Sequence, residues 1–351
     1  MYSFTYDVLP ARVVFGTGTS KNISDEIKRL GCRRALVLTT PQQSGLGERV
    51  STELGEFSVG MFNGAVMHTP TDVTEIAVKV AQELRADCLV AVGGGSTIGL
   101  GKAIALHTDL PQIVVPTTYA GSEATPIIGQ TENGLKTTQR TLKVLPEVII
   151  YDVDLTLGLP VQMTVTSGLN AIAHAVEALY AKDTNPLISM LAEQGIAAIG
   201  RALPRIYANP EDREARSDAL FGAWACGTCL GAVGMSIHHK LCHTLGGSFN
   251  LPHAETHTVV LPHAAAYNAK AAPEAMARIA RALGVDDAPR GLFDLAAKHG
   301  APTSLAQIGI QAGDIGRAVE IACASPYWNP RPIEPAAIRE LLDNAFEGKR
   351  P

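Results

Sequence analysis

The sequence predicts two folds in one chain. Residues 1–154 read as a dinucleotide-binding α/β domain with a parallel, Rossmann-like sheet, and residues 155–351 as an all-α domain. Three observations predict this. In the first half, short β-rich runs alternate with helical stretches, the pattern of a parallel sheet covered on both faces. One of those runs ends in a glycine-rich turn. After about Asp154, strand-like runs nearly vanish and long segments rich in Ala, Leu and Ile take over. A chain of 351 residues also exceeds the length at which one core usually stops growing.

Taken in order, RRALVLTT, from Arg33, reads as a buried strand and FSVGMFN, from Phe57, as the next. Residues 72–84, DVTEIAVKVAQEL, repeat apolar positions at three and four and so read as a helix. DCLVAVGGGS is a strand running into the glycine turn, and TIGLGKAIAL continues as a helix. PQIVVPTT is a strand that closes on a threonine pair. YDVDLTLGLP ends the last strand and marks the boundary. Beyond it, SGLNAIAHAVEALYA, LISMLAEQGIAAIGRALPRIYA, ARSDALFGAWACGTCLGAVG and PEAMARIARALG read as helices. HHKLCHTLGGSFNLPHAETH is expected to hold a helix stopped by Gly246-Gly247 and another starting after Pro252.

Composition narrows the function classes. The hydrophobic share, 46%, is that of a globular protein, and a net charge of −5 leaves no basic footprint for nucleic acid or an anionic membrane. The N-terminus carries no basic stretch followed by an apolar one, so no signal peptide is expected. Residues 221–237 are the most membrane-like segment. They contain four glycines and fall short of the roughly 20 apolar residues a span needs, so a buried core helix is expected. Six scattered cysteines point to a reducing, cytoplasmic setting. Cys226 and Cys229 form a CxxC without the second pair of a structural zinc site, and two core thiols are the expected reading.

Gly93-Gly94-Gly95-Ser96 opens a helix directly after a strand, where bare backbone N–H groups and the helix dipole suit a pyrophosphate. Thr117 and Thr118, at the end of the next strand, add hydroxyls for the same ligand. Thr39, closing the first buried strand, stands where an adenosine ribose is read. The turn is not a GxGxxG, and no acidic residue follows at the usual distance. Strict rejection of a 2′-phosphate therefore does not follow, and either NADH or NADPH is expected.

His174 falls four residues after Asn170, on one face of its helix. His243 and His253 fall near facing helix ends, so two rings are expected to meet in one pocket, with His257 as a further lining residue. His238, His239 and His263 are expected to be structural. Three neutral imidazoles are able to hold zinc. Asn170, however, is a neutral amide where an anionic ligand would complete the set.

GGGS opening a helix, PTT followed by GSE, the Asn170–His174 helix and the HxLG…PH segment together resemble the iron-containing alcohol dehydrogenase superfamily over essentially the whole chain. That resemblance implies a nucleotide domain, a helical domain and a site in the cleft between. In metal-dependent members an Asp and three His bind iron or zinc. His174, His243 and His253 match these, but Asn170 replaces the Asp, and Gly99 replaces an acidic residue of the GGGSxxD pattern. The longer stretches PTTYAGSEATPIIGQTENGLKTTQR and GLNAIAHAVEALYA resemble the maleylacetate reductases, the metal-independent branch. The implied activity is NAD(P)H-dependent reduction of maleylacetate to 3-oxoadipate in bacterial breakdown of aromatic compounds, by a homodimer with no metal. Under it, His243 and His253 are the expected oxyanion donor and proton source, with Tyr119 as a further hydroxyl donor. Asn170, His174 and His257 line the pocket. Lys102 and Lys136 are the cations available to a dicarboxylate, and Lys136 is also a candidate cofactor contact. The rivals are a metal-dependent alcohol dehydrogenase, a lyase resembling dehydroquinate synthase and a nucleotide-binding regulator without catalysis.

Overall fold

A computed structural model describes residues 4–132, 135–325 and 327–351. The chain divides into two compact units. The first comprises residues 9–118 and 122–159, and the second residues 119–121 and 160–351 together with the described residues up to Val8. Where the sequence places a single cut after residue 154, the contacts thus move it five residues on and transfer the N-terminal residues and Tyr119–Gly121 to the helical unit.

In the first unit, β1 (Arg12–Gly16), β2 (Ala35–Leu38), β3 (Ser58–Phe62), β4 (Cys88–Gly93), β5 (Gln112–Pro116) and a later strand, Val148–Asp152, form one six-stranded sheet. Every pairing in it is parallel. Side chains alternate across it, as the period of two requires. Val37, Val90, Val92 and Val115 pack with α1 (Ile23–Arg29) and α2 (Ser44–Leu54) on one face. Leu36, Leu38, Leu89 and Val114 pack with α3 (Thr71–Glu83) and α4 (Gly95–Thr108) on the other. From β2 the chain steps to β3 at one edge and then returns to β4 on the opposite side of β2. The order therefore reverses between β2 and β4, and the crevice at their carboxyl ends is where such sheets take ligands.

A two-stranded hairpin, β6 (Ile127–Glu132) with β7 (Leu135–Arg140), is antiparallel and was not expected. Its sequence signal is an Asn-Gly pair between two alternating runs. The sixth strand of the main sheet is then β8 (Val148–Asp152).

Lys102 does not offer its charge to a ligand. Its ammonium is buried and donates to the carbonyls of Ser122 (2.6 Å), Thr125 (2.8 Å) and Ile127 (2.9 Å) and to Thr125 Oγ1 (3.0 Å). It pins α4 to the segment leading into β6.

The second unit is built around α5 (Val161–Tyr180), whose residues are buried from Thr164 onward. α6 (Pro186–Ala208), α7 (Arg213–Ala232) and α9 (His253–Asn268) pack on it, and α8 (Ile237–Phe249) packs on α9. A helix buried all round carries no amphipathic stripe, which is why its polar residues are informative. α10 (Pro273–Leu283), α11 (Ala288–Lys298), α12 (Ile315–Cys323) and α13 (Pro335–Glu347) complete the unit. Residues 221–237 are not one helix: α7 and α8 meet there at 96°. No single helix among the described residues is long and apolar enough to cross a membrane. Cys226 and Cys229 are both wholly buried on α7, and burial pushes the Cys229 thiol up to about 12. Gly227 is required on the same helix, because a Cβ there would strike the Gly121 carbonyl.

Replacing Lys102 by Met removes four interior hydrogen bonds, while the Ser122 carbonyl and Thr125 Oγ1 keep other donors. The unfolding free energy measured with urea is expected to fall by about 3 kcal/mol, since each orphaned buried acceptor costs about 1–3 kcal/mol. A loss under about 1 kcal/mol would show the clamp to be dispensable.

Candidate active site

The glycine turn lies at the reversal of strand order. Gly93 has φ of +157°, and a Cβ there would collide with Thr97 Oγ1. A Cβ on Gly94 would stand 2.8 Å from Thr118 Cγ2, whereas one on Gly95 would meet nothing within 4 Å. Two hydroxyls here, Thr97 Oγ1 and Thr118 Oγ1, are buried without a hydrogen-bond partner. Orphaned donors beside open space at a helix N-terminus fit a phosphorylated nucleotide. Thr39 and Thr117 are held by Gln43, a residue that sequence reasoning missed. The Thr39 hydroxyl donates to the Gln43 carbonyl (3.3 Å), and the Gln43 side-chain amide donates to Thr117 Oγ1 (3.1 Å). Ser96 lies in the first turn of α4. The Lys136 side chain lies outside the described residues. At Gly99, the departure from GGGSxxD, a Cβ would strike Thr69 Oγ1, so a carboxylate has no room.

In the helical unit, Asn170, His174 and Glu177 follow one another at i, i+4 and i+7, one stripe of α5. Glu177, wholly buried, does what α8 cannot do for itself. The N-cap of that helix, Ser236, makes no side-chain cap. Instead, the Glu177 carboxylate accepts the backbone N–H groups of Ser236 (2.8 Å) and His238 (2.8 Å), satisfying orphan donors at a positive helix end. His239 Nδ1 stands 2.7 Å from Glu177 Oε2, and His239 Nε2 stands 2.9 Å from His174 Nδ1. His174 Nε2 faces the Ala120 carbonyl at 3.2 Å. Sequence reasoning missed Glu177 and expected His239 to be structural, whereas His239 bonds both Glu177 and His174.

The rings continue from there. His239 and His243 have centroids 6.1 Å apart, His174 and His257 6.2 Å, and His253 and His257 4.3 Å. His253 and His257 are one helical turn apart at the start of α9. Six imidazoles thus form one cluster, of which His243 is exposed, His253 half-buried and the other four buried. α8 runs through Gly246-Gly247 and ends only at Asn250, whose φ of +53° is the left-handed stop. His243 therefore sits in mid-helix, and it is His239 that bonds His174.

Tyr119 is wholly buried, and its hydroxyl accepts from Arg216 Nη1 at 3.3 Å. Arg216 Nη1 also donates to Thr164 Oγ1 at 2.9 Å. These bonds anchor residues 119–121 to α7 and α5.

At the place of the anionic ligand the donor set offers only a neutral amide, which does not offset a divalent charge. Asn170 Oδ1 is buried and unpartnered but neutral. His174 Nδ1 and His239 Nε2 are aimed at each other, not at a common point. His238, Cys242 and His257 also bring three donors within 4.8 Å of one another, yet His238 Nε2 is aimed at His257 Nδ1, 3.0 Å away.

Burial, and then neighbouring imidazoles, hold His174, His238 and His257 well below the usual histidine range, and burial alone lowers His263 to about 4.

The chain matches the family model described as iron-containing alcohol dehydrogenase over residues 10–153. It matches the one described as Fe-containing alcohol dehydrogenase family, C-terminal, over residues 164–346. It is 58% identical to a maleylacetate reductase of Rhizobium sp. (strain MTP-10005) and 59% identical to one of Burkholderia cepacia, covering all of both chains in each case. The crystal structure of a maleylacetate reductase from Agrobacterium tumefaciens superimposes with a TM-score of 0.97 at 59% identity, again over both whole chains.

Two outcomes follow from this geometry. Gly95→Val is expected to leave Tm unchanged while weakening NADH binding about tenfold or more, roughly 1.4 kcal/mol; unaltered binding by fluorescence titration would remove Gly95 from the nucleotide site. The unfolded chain takes up protons near pH 6.5 that the folded imidazoles refuse. The stability they contribute is whole above about 6.5 and is lost as pH falls toward 4. Tm is thus expected to drop between pH 7 and pH 5, more shallowly in His263→Gln, and a flat profile would contradict the lowered values.

Proposed function

The chain belongs to the iron-containing alcohol dehydrogenase family, and on that premise we propose that it reduces the carbon–carbon double bond of maleylacetate with NADH or NADPH, giving 3-oxoadipate in the breakdown of aromatic compounds. The observation that carries this reading is identity near 58% over the full length of maleylacetate reductases. The histidine cluster with Asn170 in the anionic ligand's place supports the metal-free form of the reaction.

A bound nicotinamide supplies the hydride. Gly93, Gly94, Gly95 and Ser96, with Thr39, Thr117 and Thr118, are the residues that would hold it. Hydride arriving at the β-carbon of the enone leaves an enolate at the ketone oxygen. With no cation suited to this donor set, the enolate is met by hydrogen-bond donors. His243 and His253 are the two cluster members open to water, so they alone exchange protons with solvent directly. We assign them jointly as oxyanion donor and proton source. His174, His257 and Asn170 form the pocket wall behind them, and the orphaned Asn170 amide oxygen is a ready acceptor there. The expected setting is a cytoplasmic homodimer. None of the six cysteines is in a disulfide, and the dimer rests on the family resemblance.

Loss of NADH or NADPH absorbance with maleylacetate, in the presence of a chelator, is the deciding assay. Activity abolished by chelator and restored by zinc or iron would reassign the chain to metal-dependent chemistry, and no oxidation at all would overturn the reading. His243→Ala is expected to lower kcat about a hundredfold or more, the worth of a general acid, while leaving NADH affinity unchanged. Near-normal turnover would remove His243 from the mechanism.

A further inference from the structure

Tyr119, Ala120 and Gly121 are three consecutive residues, each held by a different contact inside the helical unit. The Tyr119 hydroxyl accepts from Arg216 Nη1 at 3.3 Å, and the same nitrogen donates to Thr164 Oγ1 on α5 at 2.9 Å. Gly121 lies close against α7. Its φ of +81° is one that glycine adopts freely, and a Cβ there would stand 3.0 Å from both the Ala223 carbonyl and Gly227 Cα. Between these two anchors, the Ala120 carbonyl faces His174 Nε2 at 3.2 Å. Arg216, Ala223 and Gly227 fall at i, i+7 and i+11, one stripe of α7. A single helix face therefore fixes the residue before Ala120 and the residue after it.

We propose that Arg216 is a positioning residue: through the Tyr119 hydroxyl it sets where the Ala120 carbonyl stands, and so which way the His174 ring faces in the pocket wall. The guanidinium suits this task. It is wholly buried, and its Nε donates to the Pro210 carbonyl at 3.0 Å, so the rigid fork is already oriented when Nη1 meets Tyr119. Without that bond, the segment held at two points becomes one hinged at Gly121, the residue type with the most backbone freedom. Ala120 is then free to move, and the His174 ring loses the carbonyl that it faces. A shift of about 1 Å in a positioning group is enough to slow a reaction by up to about a hundredfold. The bond is thus expected to matter to turnover although Arg216 acts on the ring only through Tyr119 and Ala120.

Only the kinetic half of the test rests on the maleylacetate reading; the spectroscopic half needs no substrate. Tyr119→Phe removes one oxygen and leaves the ring in place, while Arg216→Met removes the donor. In protein free of NADH and substrate, the His174 Cε1–H resonance in the NMR spectrum is assigned by its loss in His174→Asn. It is expected to shift in both variants, and Tyr119→Phe is expected to add nothing in the Arg216→Met background. An unmoved resonance in Tyr119→Phe would overturn the proposal whatever the substrate proves to be. With maleylacetate, Tyr119→Phe is expected to lose about tenfold in kcat, with KM for NADH unchanged. In the Arg216→Met background the same substitution is expected to cost no further rate, since the bond it breaks is already gone. Losses that multiply would show Tyr119 acting independently of Arg216 and would overturn the positioning role, as would an unchanged kcat or a change confined to KM. Should Arg216→Met not fold, the His174 resonance in Tyr119→Phe still decides.

Discussion

A carboxylate with no exposed surface is expensive unless charged partners and hydrogen bonds replace its water, and the helical unit is organised around supplying them to Glu177. The N-terminus of α8 meets most of that need. Three backbone N–H groups, of Ser236, His238 and His239, and the His239 ring converge on the two oxygens. In return the helix receives the cap that Ser236 does not provide. Once α8 begins there, its register follows. His238 and Cys242 fall one turn apart on the side of His257, and His239 and His243 fall one turn apart on the side of His174. The histidine cluster is therefore the consequence of one buried acid on α5 reaching one helix end.

The sheet unit solves a different problem by different means. Among the described residues, Lys102 adds no charge to its ligand end, because it is consumed in holding α4 to the segment before β6. What remains is backbone. The reversal of strand order opens a crevice at β2 and β4, the glycines keep side chains out of it, and Thr97 and Thr118 leave hydroxyls unsatisfied. An acidic chain thereby keeps a place for an anionic nucleotide through dipoles and N–H groups, without a field of basic residues.

Much of this was legible from residue patterns. The strand endings at Gly93 and at Thr117-Thr118, the helix over α3, the start of α9 after Pro252, and the shared face of Asn170 and His174 all rest on local periodicity or turn chemistry, which short stretches of chain express by themselves. The errors have local causes too. Gly246-Gly247 read as a helix stop, but a glycine costs an interior helix only about 1 kcal/mol, and α8 packs on α9 well enough to continue to Asn250. Arg216, nearly a hundred residues on, leaves no mark near its partner Tyr119 in sequence. The β6–β7 hairpin carries its signal in an Asn-Gly pair between two alternating runs.

By itself, then, the sequence determined the two fold classes, the family, the glycine turn and the identity of the stripe that carries Asn170 and His174. Tertiary structure alone decided that His239 and not His243 bonds His174, and that Glu177 stands behind them. The physical reason is that helical periodicity says which residues of one helix share a face, while nothing in it says which face of another helix will meet them. That choice was made by the burial of a charge, which only the packed interior brings into being.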